Sequence, residues 1–409
     1  MPLALSILEL LERLLAFFLG IWIVLIVIIS ATRTFVLPRS ARDPVTRRVF
    51  VAVRMIFDLF VNRATSYEQR DHLMAMYAPI SLLLLPVVWL WLVMFGYMLM
   101  FWATGVDWIT AFHVSGSSLL TLGFEAVHRN SHFVLVFSEA IIGLTLVALL
   151  IAYLPTIYSA FSKRESLVSL LEVRAGSPPS AIEMFKRFKR IGRLDEMSDI
   201  WQSWESWFTE LDETHTSLAV LSYFRSPVGD RSWITAAGAI LDAASLYQSA
   251  LEMPPNPKAA LCIRAGFIAL RHIADFFQIP HNPDPKPDDM ISVTRYEFDE
   301  ALNELQAAGI PIKADRDQAW KDYSGWRVNY DQVLLGLCGL LMPPYAPWSS
   351  DRSMRRSMKP TLKNIFSARR LKPERIVQSS LEAPGAATLT SGALAYKSEV
   401  IDDQINNRQ

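Results

Sequence analysis

Five residues between two long apolar runs have types and an order that suit the binding of a bare cation. The stretch Thr121-Leu-Gly-Phe-Glu125 offers a hydroxyl, a glycine that permits unusual backbone angles, and a carboxylate. Carbonyl and hydroxyl oxygens can replace the water around a dehydrated cation, and a carboxylate attracts cations to the site. This chemistry requires extended backbone held at depth in a membrane, so the neighbouring elements decide whether it can occur.

Three apolar runs are long enough to cross a bilayer as helices. They cover Leu14–Thr32, Leu73–Val106 and Ala140–Ser162, and a helix of about 20 apolar residues crosses the hydrocarbon layer. The first run has acidic residues before it and no small-residue cleavage site after it, so it is predicted to be a retained helix. With 51% hydrophobic and 20% charged residues, the chain fits a membrane part joined to a soluble part.

The basic residues predict the orientation of the three spans. Eight arginines lie between the first and second spans, from Arg33 to Arg70, and Lys163 and Arg164 follow the third span. The loop over 105–131 has only Arg129. Because cytoplasmic loops carry an excess of basic residues, the N-terminus and this loop are predicted outside, and the chain after the third span cytoplasmic. The expected location is the inner membrane of a bacterium.

The outer loop is too apolar to be a solvated connection. Asp107 is a good N-cap residue, and apolar residues at helical spacing predict a short helix from there to Leu120. We expect this helix to re-enter the membrane from outside, followed by Thr121–Phe124 as extended backbone. Backbone at that depth must be buried in protein or line a cavity, and the negative end of the helix dipole favours a cation there.

The order of span, short helix, TLGFE and span resembles the pore module of the potassium channel superfamily, whose filter reads T-V-G-Y-G. The resemblance covers Leu73 to about Lys163, with Thr121, Leu122, Gly123 and Phe124 at the first four filter positions, and Glu125 standing where the family has its last glycine. It implies that these five residues bind permeant K⁺ or another monovalent cation, with no cofactor and no other metal. Because of Glu125, it supports cation conduction more strongly than potassium selectivity.

One filter sequence per chain implies a homotetramer, in which four Glu125 carboxylates would form an acidic ring at the outer mouth. In the third span, Gly143 and Pro155 are candidates for a gating hinge, since the inner helix of related channels bends at a glycine or a proline. Both are equally explained as ordinary residues of a membrane helix. Glu139 is predicted either to bond the back of the filter or to face the outer vestibule.

The connection over 37–72 is predicted to contain a basic amphipathic helix. Its apolar positions include Val49, Val53, Ile56 and Phe60, and arginines such as Arg54 lie around them. A helix of this kind suits the inner-leaflet surface of a membrane. Packing on a cytoplasmic domain explains the pattern equally well, and both alternatives stay open at this point.

The region 164–345 is predicted to be an all-helical cytoplasmic domain of about eight helices, because apolar stretches of helical period alternate with proline- and glycine-rich breaks. Trp201, Trp204 and Phe208 share one helical face and are interpreted as core. Cys262 and Cys338 are predicted to be buried thiols. The tail over 346–409 is first basic and then of low complexity, so it is predicted to be disordered and able to touch anionic lipid.

The chain is therefore predicted to be an all-α membrane protein with five parts: 1–36, 37–72, 73–163, 164–345 and 346–409. It carries no nucleotide-binding or catalytic motif, so neither an enzyme nor a nucleic-acid partner is predicted. The predicted function is a tetrameric cation channel in the bilayer, gated through the cytoplasmic domain by an unknown ligand. The alternative is a non-conducting, membrane-anchored scaffold or receptor whose helical domain binds a partner.

Overall fold

The computed structural model describes residues 2–35, 43–64, 66–125, 127 and 129–353, without the side chains of residues 2–7 and 131. These residues form twelve α-helices and three short 3₁₀ helices and contain no strand, which confirms the predicted all-α class. Arg39 and Arg42 of the first connection, His128 of the outer loop and the predicted tail from 354 to 409 lie outside the described residues.

The helices follow the apolar periodicity of the sequence and end at its proline- and glycine-rich breaks. They are α1 (Pro2–Phe35), α2 (Pro44–Val61), α3 (Tyr67–Ala103), α4 (Trp108–Leu119), α5 (Asn130–Ala175), α6 (Ala181–Arg190), α7 (Ser198–Ser217), α8 (Trp233–Ser249), α9 (Pro257–Phe276), α10 (Arg295–Ala307), α11 (Arg316–Arg327) and α12 (Asp331–Leu341). The 3₁₀ helices are Leu194–Met197, Ala219–Tyr223 and Ser350–Arg352.

The described residues form two compact units. The first contains the chain up to Ser169 together with Glu210–Trp233, and the second contains Leu170–Thr209 and the chain from Ile234 onward. The sequence analysis placed all of 164–345 in one domain, whereas the structure packs Glu210–Trp233 with the apolar helices. The physical reason is the apolar residues Val220 and Leu221, which are buried against α3 and α5.

Three helices of the first unit are long enough and apolar enough to cross a membrane. They contain the stretches Leu8–Phe35, Tyr67–Ala103 and His132–Ala175, which include the first and third predicted runs and the second run up to Ala103. At 1.5 Å per residue, the 37 residues of α3 extend for roughly 55 Å. That length exceeds the hydrocarbon layer of about 30 Å, so α3 is longer than one membrane crossing requires.

Helices α1 and α3 approach each other closely because glycines face each other. A Cβ atom at Gly20 would lie 2.4 Å from the carbonyl oxygen of Gly96, so neither position has room for a side chain. Small residues at such crossings let two backbones pack tightly in a membrane, where close packing replaces the hydrophobic effect. Near the other end of α1, Trp89 Nε1 donates to Ser30 Oγ at 3.0 Å, and Ser30 Oγ donates to the Asp43 carboxylate at 2.6 Å.

Helix α2 differs from its predicted amphipathic pattern. It packs on α3 through Val49 and Val53, and Arg54 is buried on the same side, whereas Ile56 and Phe60 are exposed. The burial of Arg54 is possible because Asp58 accepts its Nε–H at 2.9 Å and the Tyr77 ring lies 5.5 Å from the guanidinium carbon. These partners offset the cost of removing the charge from water.

The core of the second unit confirms several predictions from the sequence. Trp201, Trp204 and Phe208 are at most 1% exposed, as expected for a core stripe. Cys262 and Cys338 are buried free thiols. The described part of this unit extends to residue 353, past the predicted start of the tail at 346.

The basic residue Arg352, assigned to the tail in the sequence analysis, belongs to the folded second unit. Its Nη2 donates to the Glu297 carboxylate at 2.5 Å and its Nη1 donates to the same group at 3.0 Å. These bonds, with those from Thr294, lower the pKa of Glu297 to about 2. The prediction of a tail beginning at 346 was therefore wrong for this residue, because a two-pronged ion pair holds it to α10.

Candidate ion-binding site

The site begins with α4, the short helix that follows α3. The Asp107 carboxylate accepts the backbone N–H of Thr110 at 3.0 Å, which confirms the predicted N-cap and holds the pKa of Asp107 below its usual value. The helix runs from Trp108 to Leu119, and its 12 residues extend for roughly 18 Å. Its length and start agree with the helix predicted from the apolar spacing.

The C-terminal end of α4 is closed by two backbone hydrogen bonds that reverse the chain. Thr121 N–H donates to the Ser118 carbonyl at 3.0 Å, and Leu122 N–H donates to the Ser117 carbonyl at 2.8 Å. This pattern usually places glycine in the left-handed region after the helix. Here Thr121 occupies that position with φ +53°. A β-branched residue is strained there, so the surrounding contacts must stabilise this conformation.

Four consecutive backbone N–H groups converge on one residue, Ser117. Its carbonyl oxygen accepts from Leu122 at 2.8 Å and from Gly123 at 3.4 Å, and its hydroxyl oxygen accepts from Phe124 at 3.0 Å and from Glu125 at 3.3 Å. The sequence analysis did not identify Ser117 as a functional residue. The feature of the sequence that could have indicated this role is the position of Ser117, one helical turn before the TLGFE stretch.

The carbonyl groups of the same peptides point the other way. In a planar trans peptide, the C=O and N–H groups lie on opposite sides, so the carbonyl oxygens of Thr121, Leu122, Gly123 and Phe124 face away from Ser117. Among the described residues, none of these four oxygens accepts a hydrogen bond. A row of unpaired carbonyl oxygens can coordinate a cation when several such rows surround one axis.

The structure places all five predicted site residues in one stretch, in which Thr121 to Phe124 are exposed and Glu125 is half-buried. The side chains of Leu122 and Phe124 are 62% and 63% exposed in the single chain, although both are apolar. Gly123 adopts φ +67°, which a residue without a Cβ atom reaches at little cost. The Glu125 carboxylate accepts no hydrogen bond from the described part of the chain.

Helices α3 and α5 hold α4 from behind. The Ser115 hydroxyl lies 3.2 Å from the Met94 carbonyl oxygen and within hydrogen-bonding distance of the Glu139 carboxylate. Tyr97 on α3 donates to Ser138 on α5 at 2.8 Å. Glu139 is fully buried, so its carboxyl group lies against α4 and does not face an open vestibule in the chain as described.

The two hinge candidates lie in one continuous helix, α5. A Cβ atom at Gly143 would lie 2.3 Å from the Leu119 carbonyl oxygen. The missing side chain therefore lets α5 pack directly on the last turn of α4. Pro155 lies twelve positions further along α5 and removes one helical hydrogen bond. Gly143 has a packing role, and hinge motion at either residue stays a prediction.

A scan against protein-family models found no match to this chain, and neither the curated proteins nor the solved structures yielded a similar one. The similarity to a potassium channel pore therefore rests on the TLGFE stretch, its position between two apolar helices and the contacts described above. The contacts that bear most directly on cation binding are the four hydrogen bonds from backbone N–H groups to Ser117, because they orient the carbonyl groups of the same peptides.

Proposed function

We propose that this protein is a homotetrameric cation channel whose narrowest part is lined by the carbonyl oxygens of Thr121 to Phe124. The observation that carries the proposal is the convergence of four backbone N–H groups on Ser117. It leaves four consecutive carbonyl oxygens unpaired among the described residues. Within a membrane, such oxygens need a partner, and a dehydrated monovalent cation is a partner of suitable size and charge.

Assembly of several chains follows from the single row of carbonyls in each chain, and four is the number that the resemblance to potassium channels implies. One row cannot surround an ion, whereas four copies around one axis would close a ring. The same assembly would cover the exposed apolar side chains of Leu122 and Phe124. In this proposal the loop that contains them faces outside, and the second unit is cytoplasmic and responds to an unknown stimulus.

The first test combines assembly with transport. The purified protein in detergent is expected to have the native mass of a tetramer, and the same protein in liposomes should carry K⁺ or Na⁺ down a gradient. Protein-free liposomes serve as the control. A monomer or dimer without flux would instead support a membrane-anchored scaffold or receptor, because neither could close a ring of carbonyl rows.

A second test concerns Glu125, whose carboxylate would form part of a ring at the outer mouth. We expect Glu125→Gln to reduce single-channel current several-fold in about 10 mM salt, where charges act over about 30 Å, and far less in 150 mM salt, where they act over about 8 Å. The amide keeps the shape of the side chain while removing its charge. The measurement is current against salt concentration in planar bilayers.

The matched control for this test is Glu12→Gln, which removes an exposed acidic side chain near the predicted outer end of α1. Its current should follow that of the unmodified protein at every salt concentration. If Glu125→Gln reduced current equally at low and high salt, its carboxylate would act as a structural brace and the proposed charge ring would be wrong.

A further inference from the structure

The segment from His215 to Arg225, here called the coupling segment, lies between α3 and α5 in the first unit. It contains the end of α7 and the 3₁₀ helix Ala219–Tyr223. Before this segment the chain belongs to α7, whose first residues lie in the second unit, and after it the non-helical residues 226–232 lead to α8.

An apolar cluster joins the coupling segment to both neighbouring helices. Leu221 is fully buried with Ala78 and Leu82 of α3 and with Tyr153 and Ile157 of α5. The cluster therefore holds α3, α5 and the coupling segment together as one packed body.

Arg164 of α5 adds a set of polar contacts to the same segment. Its Nη1 donates to the Leu221 carbonyl at 2.7 Å, and its Nη2 donates to the Phe224 carbonyl at 2.7 Å. The Glu165 carboxylate accepts from Nε and Nη2 at 2.9 and 2.7 Å, and the His215 ring lies 3.3 Å from Nη1. Arg164 is 4% exposed. A buried guanidinium with this many partners fixes both the helix and the segment.

The other side of the coupling segment is attached to α3. Arg225 pairs with Asp71, and both side chains are largely buried, at 13% and 15% exposed. The Tyr223 ring packs edge-on against the Tyr77 ring at 5.2 Å. The coupling segment thus connects the first half of α3 to the part of α5 between Tyr153 and Arg164.

The position of this attachment along α5 is the reason for assigning it a function. The outer part of α5 is held to α4 at Glu139 and Gly143, and the coupling segment contacts α5 from Tyr153 to Arg164. Pro155 lies at the outer end of this second attachment, between Tyr153 and Ile157, where a missing hydrogen bond makes the helix easier to bend. A shift of the coupling segment would therefore bend α5 at Pro155.

We propose that the coupling segment regulates the pore by fixing the inner half of α5 against α3, so that its movement changes the conducting state. The regulatory role rests on the proposed channel function, whereas the mechanical link does not. The ion pair between Arg225 and Asp71 gives the sharpest test, because its charges can be exchanged between the two positions.

The experiment compares Arg225→Asp, Asp71→Arg and the double exchange in the full-length protein. Each single change places two like charges side by side, and we expect K⁺ flux in liposomes to change by at least about five-fold. The double exchange restores an ion pair and should bring the flux most of the way back to that of the unmodified protein. Hydrogen exchange of residues 156–168 should accelerate by about ten-fold in each single variant and recover in the double. Lys163→Glu is the matched control, since its contact with Glu210 is solvent-exposed and 3.9 Å long.

The possible results distinguish a failure of the coupling proposal from a failure of the proposed channel function. If the unmodified protein conducts no ions, the proposed channel function and the regulatory role are both wrong, while accelerated exchange in 156–168 would still support the mechanical link. If the unmodified protein conducts and the single exchanges change neither flux nor hydrogen exchange more than Lys163→Glu does, the coupling proposal is overturned. Accelerated exchange with unchanged flux would likewise overturn the regulatory role.

Discussion

Replacing Gly123 by alanine is expected to abolish cation flux while leaving the tetramer assembled. Gly123 has φ +67°, and no heavy atom lies within 4 Å of where its Cβ would be, so the obstacle is backbone conformation and not space. An L-residue in the left-handed region costs at least roughly 1 kcal/mol. Four chains would each incur this cost, and a total of roughly 4 kcal/mol corresponds to about a thousand-fold lower population of the conducting conformation.

Gly192→Ala is the matched control for this substitution. Gly192 has φ +69°, and its Cβ position is equally empty, yet it lies in the turn after α6 in the second unit. The Gly192→Ala substitution introduces the same local backbone strain at a site far along the chain from the carbonyl row, so cation flux should stay close to that of the unmodified protein. Liposome flux and native mass of both variants provide the comparison. Undiminished flux through the Gly123→Ala variant would show that ions do not pass along this stretch.

Replacing Arg327 by methionine is expected to lower the stability of the second unit by about 3–5 kcal/mol. Arg327 is fully buried, where its Nε donates to Asp331 at 2.8 Å, its Nη1 pairs with Asp242, and its Nη2 donates to the Trp348 carbonyl at 2.5 Å. Methionine fills a similar volume but leaves two buried carboxylates without a cation. The uncompensated charges, and not lost packing, cause the expected loss.

Thermal unfolding of the full-length protein, followed by tryptophan fluorescence in detergent, would measure this effect. A loss of this size in a unit of this length lowers the melting temperature by roughly 10 °C. Arg316→Met is the matched control, because the partners of Arg316 among the described residues are the neutral side chains of Asn303 and Gln306. Adding Asp242→Asn to the Arg327→Met variant should recover part of the stability. Equal melting temperatures for both single variants would contradict the argument.

Features that depend on local order along the chain were predicted from the sequence. The three apolar stretches, the N-cap at Asp107, the extent of α4 and the buried stripe from Trp201 to Phe208 all agree with the structure. Helix period, capping and breaks involve residues a few positions apart, so the sequence contains the necessary information. The assignment of Thr121–Glu125 to an ion-binding stretch is of the same kind, and its function stays a prediction.

Tertiary structure decided which atoms meet across long separations. The hydrogen bond from Arg164 to the Leu221 carbonyl joins residues 57 positions apart, and no periodicity indicates such a pair. The same is true of Glu139 against Ser115, and of the coupling segment, which the sequence analysis assigned to the cytoplasmic domain. The burial of Arg54 also depended on a partner from another helix, the Tyr77 ring. Packing selects these contacts because a buried polar group is stable only where its particular partners are present.

The candidate site combines both sources of information. The sequence by itself determined the residue types: a threonine, a glycine at a left-handed position and a carboxylate, set between two membrane-length helices. Only the three-dimensional structure decided that Ser117 gathers the N–H groups of the stretch and that the carbonyl oxygens face away from α4. The direction of a carbonyl group depends on the rotation of its peptide plane, and here hydrogen bonds to the preceding helix set that rotation.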